Sequence, residues 1–127
     1  MALKILIVDD SSLTRKAIKR VFDMIGLDIE NVVEAEHGLD ALNILLSGEI
    51  NFDLVLTDLN MPIMNGIELI YKMRGNPATR SIPVVIVSTE SSQTRIEGLL
   101  ADCVDSYLHK TFTPEKLKEI ITQTIGV

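Results

Sequence analysis

Asp53-Leu54-Val55-Leu56-Thr57-Asp58-Leu59-Asn60-Met61-Pro62-Ile63-Met64-Asn65-Gly66 is the stretch whose reading decides the fold. Leu54 to Leu56 is a short apolar run of the kind a buried strand uses. Asp58 stands where that strand runs out of core. Pro62 fixes its own φ and biases Met61 toward extended geometry, so the loop after Asp58 is partly pre-set. Asn65 is placed to cap a helix opened by Gly66, and Glu68 falls where the acid of a capping box belongs. The stretch therefore reads as strand, tight loop and helix start, with a carboxylate held at the strand's carboxyl end.

On its N-terminal side, Leu3 to Val8 is a nearly continuous apolar run broken only by Lys4. Such a run suits a parallel strand covered on both faces. Asp9-Asp10 ends it, and Ser11 or Ser12 caps a helix in which Ile18, Val21, Phe22 and Ile25 recur at helical spacing. Gly26 closes that helix. Asn31 to Glu36 reads as a second strand. Gly38 to Leu46 reads as a helix with Leu39, Leu42, Leu45 and Leu46 inward and Gly48 as its stop.

On the C-terminal side, Ile67, Ile70 and Tyr71 begin the apolar face of a third helix, which Gly75-Asn76-Pro77 breaks. Pro83 to Val87 is a fourth strand, ending in Ser88-Thr89-Glu90. Ser91 or Ser92 starts a fourth helix, weakened by Gly98 at a cost of about 1 kcal/mol against alanine. Val104 to Leu108 is a fifth strand, ending in His109-Lys110. Thr113-Pro114-Glu115 is a helix start with a capping threonine and proline at the first helical position. Leu117, Ile120, Ile121 and Ile125 face inward from that last helix.

Strands alternating with helices predict an α/β fold, a doubly wound parallel sheet with right-handed crossovers and helices on both faces. The 127 residues fit one domain, residues 1–127, with no repeat and no linker. Hydrophobic residues make up 46% of the chain and aromatics 4%, so the core is aliphatic. A single cysteine rules out an internal disulfide and fits a reducing cytosol. Cys103 itself reads as a small buried hydrophobe. With no signal-peptide layout and no apolar run near the ~20 residues of a membrane span, a cytoplasmic protein without membrane contact is expected. The net charge of −6 disfavours direct nucleic-acid binding. The cluster Arg15, Lys16, Lys19 and Arg20 reads as the wet face of a helix.

In such sheets, ligands bind outside the carboxyl ends of the strands. That rule gathers Asp9, Asp10, Asp58, Ser88 and Lys110. At ~5 Å and an effective dielectric near ~20, each close carboxylate pair repels by about 3 kcal/mol. A hard divalent cation with oxygen ligands offsets this, and magnesium suits a site with few carboxylates and room for a phosphate. Lys110 supplies a second positive charge and Ser88 a hydroxyl. A carboxylate beside a metal and a lysine is arranged to attack a phosphoryl group. Asp58 is the nucleophile candidate because it stands alone at its strand end; adjacent Asp9 and Asp10 suit metal-holding. Each residue taken singly has a plainer reading: a helix-dipole acid, a loop cap, a strand-end serine, a solvated lysine. The set carries the inference. His37 and His109 read as surface or loop histidines, since no metal-ligand spacing accompanies them.

At these residues the chain resembles the receiver domain of two-component response regulators, over essentially its whole length. The paired acids Asp9-Asp10, the run Asp58 to Gly66, Ser88, Tyr107 and Lys110 fall in that family's order. The resemblance implies a flavodoxin-like, CheY-like sheet of order 2-1-3-4-5 with five flanking helices. It implies that Asp58 is phosphorylated by a histidine kinase or phosphotransfer protein. Asp9, Asp10, Asp58 and the Asn60 backbone carbonyl would bind Mg2+. Lys110 and Ser88 would contact the phosphoryl group, Ser88 and Tyr107 would form a switch, and Asn60 and Glu90 would tune dephosphorylation. Thr111 stands where the family usually carries proline, often through a cis peptide, and Cys103 where it usually carries glycine.

The expected class is a signalling switch acting on itself, not an enzyme with a separate substrate. With the fifth helix ending near the chain end, no output domain is expected. A stand-alone, chemotaxis-type regulator is the sharpest version, with the flagellar switch as a candidate effector. A phosphorelay intermediate and the excised receiver of a transcriptional regulator are the alternatives. A phosphohydrolase with an aspartyl nucleophile usually separates two aspartates by one residue after the first strand, whereas Asp9 and Asp10 are adjacent. A flavodoxin-like flavin binder needs a Ser/Thr/Gly-rich phosphate loop where this chain has acids. A GxxxxGK nucleotide loop is absent.

Overall fold

The computed structural model describes residues 2–102 and 104–127. The expectations for Cys103 lie outside the described residues. Ten elements alternate: β1 (Leu3–Val8), α1 (Ser12–Met24), β2 (Ile29–Ala35), α2 (Gly38–Ser47), β3 (Leu54–Thr57), α3 (Gly66–Arg74), β4 (Val84–Ser88), α4 (Gln93–Asp102), β5 (Ser106–His109) and α5 (Pro114–Ile125). The strands form one parallel sheet of order β2-β1-β3-β4-β5. The expected α/β fold and strand order are thus the observed ones.

Alternate residues of each central strand feed two separate cores. Ile5, Ile7, Leu54, Leu56, Val85 and Val87 pack with Ile18 and Phe22 of α1 and Leu117, Ile120 and Ile121 of α5. Leu6, Val8, Val55, Val84 and Ile86 pack with Leu42 and Leu45 of α2, Leu69, Ile70 and Met73 of α3 and Leu99 of α4. This two-sided burial is why the strands read as continuous apolar runs and not as alternating ones. Among the described residues, no helix is long and apolar enough to cross a membrane.

Local chemistry sets the helix starts. Ser11 Oγ accepts the Thr14 amide, which settles the cap of α1 in favour of Ser11 over Ser12. The Asn65–Glu68 capping box of α3 is closed in both directions. Thr113 Oγ1 accepts the Lys116 amide, with Pro114 in the first turn of α5. Ser92 Oγ accepts the Arg95 amide at the start of α4.

Several expectations need correcting. Leu39, Leu46 and Tyr71 are exposed, not inward. The buried stripe of α2 is Gly38, Ala41, Leu42 and Leu45, and that of α3 is Gly66, Leu69, Ile70 and Met73. Each of the three misplaced residues follows a stripe member by one position, a turn of about 100° away from the core. β2 begins two residues earlier than Asn31, because Leu3 pairs with Ile29 at an irregularity in the ladder. β5 begins later than Val104, which is instead buried ahead of the strand.

Gly66 is required by close approach. A Cβ there would lie 2.1 Å from the Asp58 carbonyl oxygen, and the Gly66 amide donates to the Leu59 carbonyl at 2.9 Å. The start of α3 is therefore seated directly on the backbone of Asp58. Gly66→Ala is expected to cost about 2–3 kcal/mol of stability, because backbone and not a flexible side chain must move. Urea unfolding checks this; a variant as stable as the parent would mean that the loop yields freely.

Candidate functional site

The strands end in side chains that the core has no room for, and the sheet's own hydrogen bonds continue one residue past each strand to hold them. The Asp9 amide donates to the Ala35 carbonyl at 3.1 Å, and the Asp58 amide to the Val8 carbonyl at 3.0 Å. The Lys110 amide donates to the Ser88 carbonyl at 2.8 Å. Three functional candidates from three strands are thus pinned at the backbone before any side chain is considered.

Their side chains meet. Lys110 Nζ donates to Asp9 Oδ2 at 2.8 Å and to Asp58 Oδ2 at 3.2 Å. The other oxygen of each carboxylate is also held: Asp9 Oδ1 accepts the Ser11 amide at 2.8 Å, and Asp58 Oδ1 accepts the Leu59 amide at 2.7 Å. Asp9 is 2% exposed, whereas Asp10 is exposed. Carboxylate oxygens of Asp9, Asp10 and Asp58 all lie within 4.8 Å of one another. Burial works against the charge of Lys110, but the Asp9 hydrogen bond and the charges of Asp9 and Asp58 outweigh it, so its pKa is raised.

The donor set is three carboxylates with no nitrogen or sulfur ligand. That chemistry fits a hard cation that keeps several waters, such as Mg2+. One lysine against three acids leaves the cluster anionic, which also favours a divalent cation.

A second group adjoins the first. Ser88 is fully buried, and its Oγ accepts the Glu90 amide at 3.2 Å. The Tyr107 hydroxyl donates to the Glu90 carbonyl at 2.6 Å. Glu90 in turn accepts the Ser92 amide and pairs with Arg95 Nη1 at 3.1 Å. Burial raises the Tyr107 pKa against the opposing Ser88 hydroxyl, and the nearby Glu90 and Asp58 charges add to the rise. Ser88 and Tyr107 are therefore joined through the main chain of one residue, Glu90.

The loop after Asp58 carries Asn60, which is exposed. Farther along, the Met64 amide donates to the Pro62 carbonyl at 2.7 Å, a three-residue turn centred on Ile63 at φ +67°. A β-branched residue rarely adopts that conformation. The Lys110–Thr111 peptide is cis.

Two residues have roles not expected from the sequence. His37 Nδ1 caps α2 by accepting the Asp40 amide at 3.1 Å, so this loop histidine has a structural task. Arg15, expected on a wet helix face, is instead turned inward at 12% exposure and donates to the Asp9 carbonyl at 2.6 Å. A signal for it existed: Arg15 precedes Ile18 by three residues and Phe22 by seven, in step with the buried stripe.

A family model described as the response regulator receiver domain matches residues 5–122. The chain is 39% identical over 124 residues to a chemotaxis protein CheY homolog of Campylobacter jejuni, covering 98% of this chain and 93% of the relative. It is 37% identical to chemotaxis protein CheY1 of Helicobacter pylori over 98% of each chain. Among solved structures, chemotaxis protein CheY4 of Vibrio cholerae superposes with a TM-score of 0.83 at 27% identity, covering 98% of this chain and 99% of that one.

Lys110→Met removes the cation shared by Asp9 and Asp58. A loss of about 2 kcal/mol is expected, between the exposed and fully buried limits for ion pairs. Because the folded-state pKa of Lys110 is raised, its contribution is complete below the ordinary lysine value near ~10.4 and is lost as pH rises through the folded value. The stability gap between parent and variant, measured by urea unfolding, should hold constant through neutral pH and narrow in strong alkali. A gap that stays constant in strong alkali would contradict the pairing.

Proposed function

The chain belongs to the response regulator receiver family, and on that premise we propose that residues 1–127 form one receiver domain that accepts a phosphoryl group on Asp58. The family is a signalling switch. The similarity to CheY proteins supports a CheY-like, chemotaxis-type regulator. The observation that carries the site reading is the ammonium of Lys110 shared between Asp9 and Asp58, with Asp10 brought to the same place.

In this reading Asp58 Oδ2, the oxygen facing Lys110, attacks the phosphorus of a phosphohistidine on a histidine kinase or phosphotransfer protein. The new bond is an acyl phosphate, and the bond from phosphorus to imidazole nitrogen breaks. The Leu59 amide keeps Asp58 Oδ1 in place, which orients the carboxylate for the attack. Asp9, Asp10 and Asp58 carboxylates with the Asn60 carbonyl are the residues to hold Mg2+, which when bound supplies positive charge to the transferring oxygens. Lys110 moves from bridging two carboxylates to pairing with the transferred group.

Ser88 Oγ, already accepting from Glu90, keeps its own proton to donate to the phosphoryl oxygen. A shift of Ser88 toward the phosphoryl group pulls on the amide of Glu90, the residue whose carbonyl Tyr107 holds. Ser88 and Tyr107 therefore form the switch, acting on the surface of α4, β5 and α5. Asn60 and Glu90 are the residues that tune loss of the phosphoryl group to water. The protein works in the cytoplasm on a protein partner, with the flagellar switch as candidate effector, and acts chemically only on itself.

Acetyl phosphate with MgCl2 is expected to add one hydroxylamine-labile phosphoryl group by intact mass. Asp58→Asn abolishes it, and EDTA abolishes it in the parent chain. An unchanged adduct in Asp58→Asn would remove Asp58 from its role, and labelling that survives chelation would remove the metal.

A further inference from the structure

Arg15 lies outside the residues assigned so far, yet it is tied to the acid pair more directly than any other residue of α1. Its Nη1 donates to the Asp9 carbonyl at 2.6 Å while its Nε donates to Glu34 Oε1 at 2.9 Å. Glu34 is on β2, in register with Ile7, and also accepts Lys19 Nζ at 3.2 Å. Burial opposes the Glu34 charge, but the hydrogen bonds and charges of Arg15 and Lys19 prevail and lower its pKa. The guanidinium therefore has a firm carboxylate anchor on one side and a main-chain target on the other. A planar guanidinium spans two such acceptors in fixed geometry; an ammonium is a point donor.

The carbonyl that Arg15 holds belongs to the peptide joining Asp9 to Asp10. Asp9 is fixed several times over, by its amide, by Ser11 and by Lys110. Asp10 is exposed, so packing does not aim its side chain. The plane of the Asp9–Asp10 peptide decides where that side chain departs from the backbone.

We propose that Arg15 is a positioning residue for the divalent cation: anchored by Glu34, it sets the Asp9–Asp10 peptide so that the Asp10 carboxylate converges with those of Asp9 and Asp58. This rests on the metal-holding role proposed above for the three acids. Charge and position predict opposite outcomes. A cation beside a metal site repels the metal, so on charge alone Arg15→Ala would tighten binding. Positioning predicts that binding weakens.

Isothermal titration of MgCl2 into the full chain, with no phosphoryl donor, separates the two. Arg15→Ala and Arg15→Lys are each expected to weaken Mg2+ binding about tenfold, the scale seen when groups that orient metal ligands are removed. Glu34→Gln should weaken it by a smaller factor. Labelling of Arg15→Lys by acetyl phosphate should fall at low MgCl2 and recover at saturating MgCl2, which a general loss of structure would not reproduce. If Arg15→Ala does not fold, Arg15→Lys and Glu34→Gln decide. Unchanged or tighter binding in the Arg15 variants, alongside loss of binding in Asp10→Asn, overturns the inference alone. A parent chain that binds no Mg2+ overturns the metal reading and this inference with it.

Discussion

One ammonium group shared by two carboxylates organises the carboxyl edge of this sheet. Asp9 and Asp58 arrive from adjacent strands, β1 and β3, and a parallel sheet leaves them no way to separate. Lys110, delivered by β5 at the far edge, reaches across to both. The fold thus places like charges together by topology and then brings a counter-charge from the end of the last strand. The pairing spans 101 residues for Asp9 and 52 for Asp58. A protein in which this edge is formed has most of its chain in order.

Backbone hydrogen bonds make that arrangement stiff. The strands stop where apolar side chains stop, but the ladder continues for one more residue at Asp9, Asp58 and Lys110. Each of these side chains therefore starts from a main-chain position as rigid as the sheet itself. The Ser88–Glu90–Tyr107 group differs, because its links run through a loop and not a ladder. α4, which follows that loop, contributes Leu99 to the core and leaves Leu100 exposed. The acid and lysine edge is thus held by ladder bonds, and the Ser88–Glu90–Tyr107 group by loop bonds beside α4.

The sequence made the elements legible because their signals are short-range. Apolar runs bounded by acids marked the strands, and Asn65 with Glu68 and Thr113 with Pro114 marked helix starts through bonds three residues long. The convergence of Asp9, Asp10, Asp58 and Lys110 follows from one topological rule applied to strand ends. Less legible were features that depend on which way a helix is rolled. Leu39, Leu46 and Tyr71 are apolar but sit one position off their buried stripes. Arg15 is charged but sits on its stripe, and composition outweighed register in reading it. The His37 cap and the turn at Ile63 depend on local geometry that side-chain type does not announce.

Two glycines brace the segment after Asp58 from both ends. Gly66 meets the Asp58 carbonyl, and a Cβ at Gly38 would lie 2.6 Å from the Met64 carbonyl, which accepts the Gly38 amide. Main chain touches main chain at each point with no space for a methyl group. The number of residues from Asp58 to Gly66 is consequently set by contact and not only by chemistry. An insertion or deletion between Asp58 and Gly66 has no slack to absorb it.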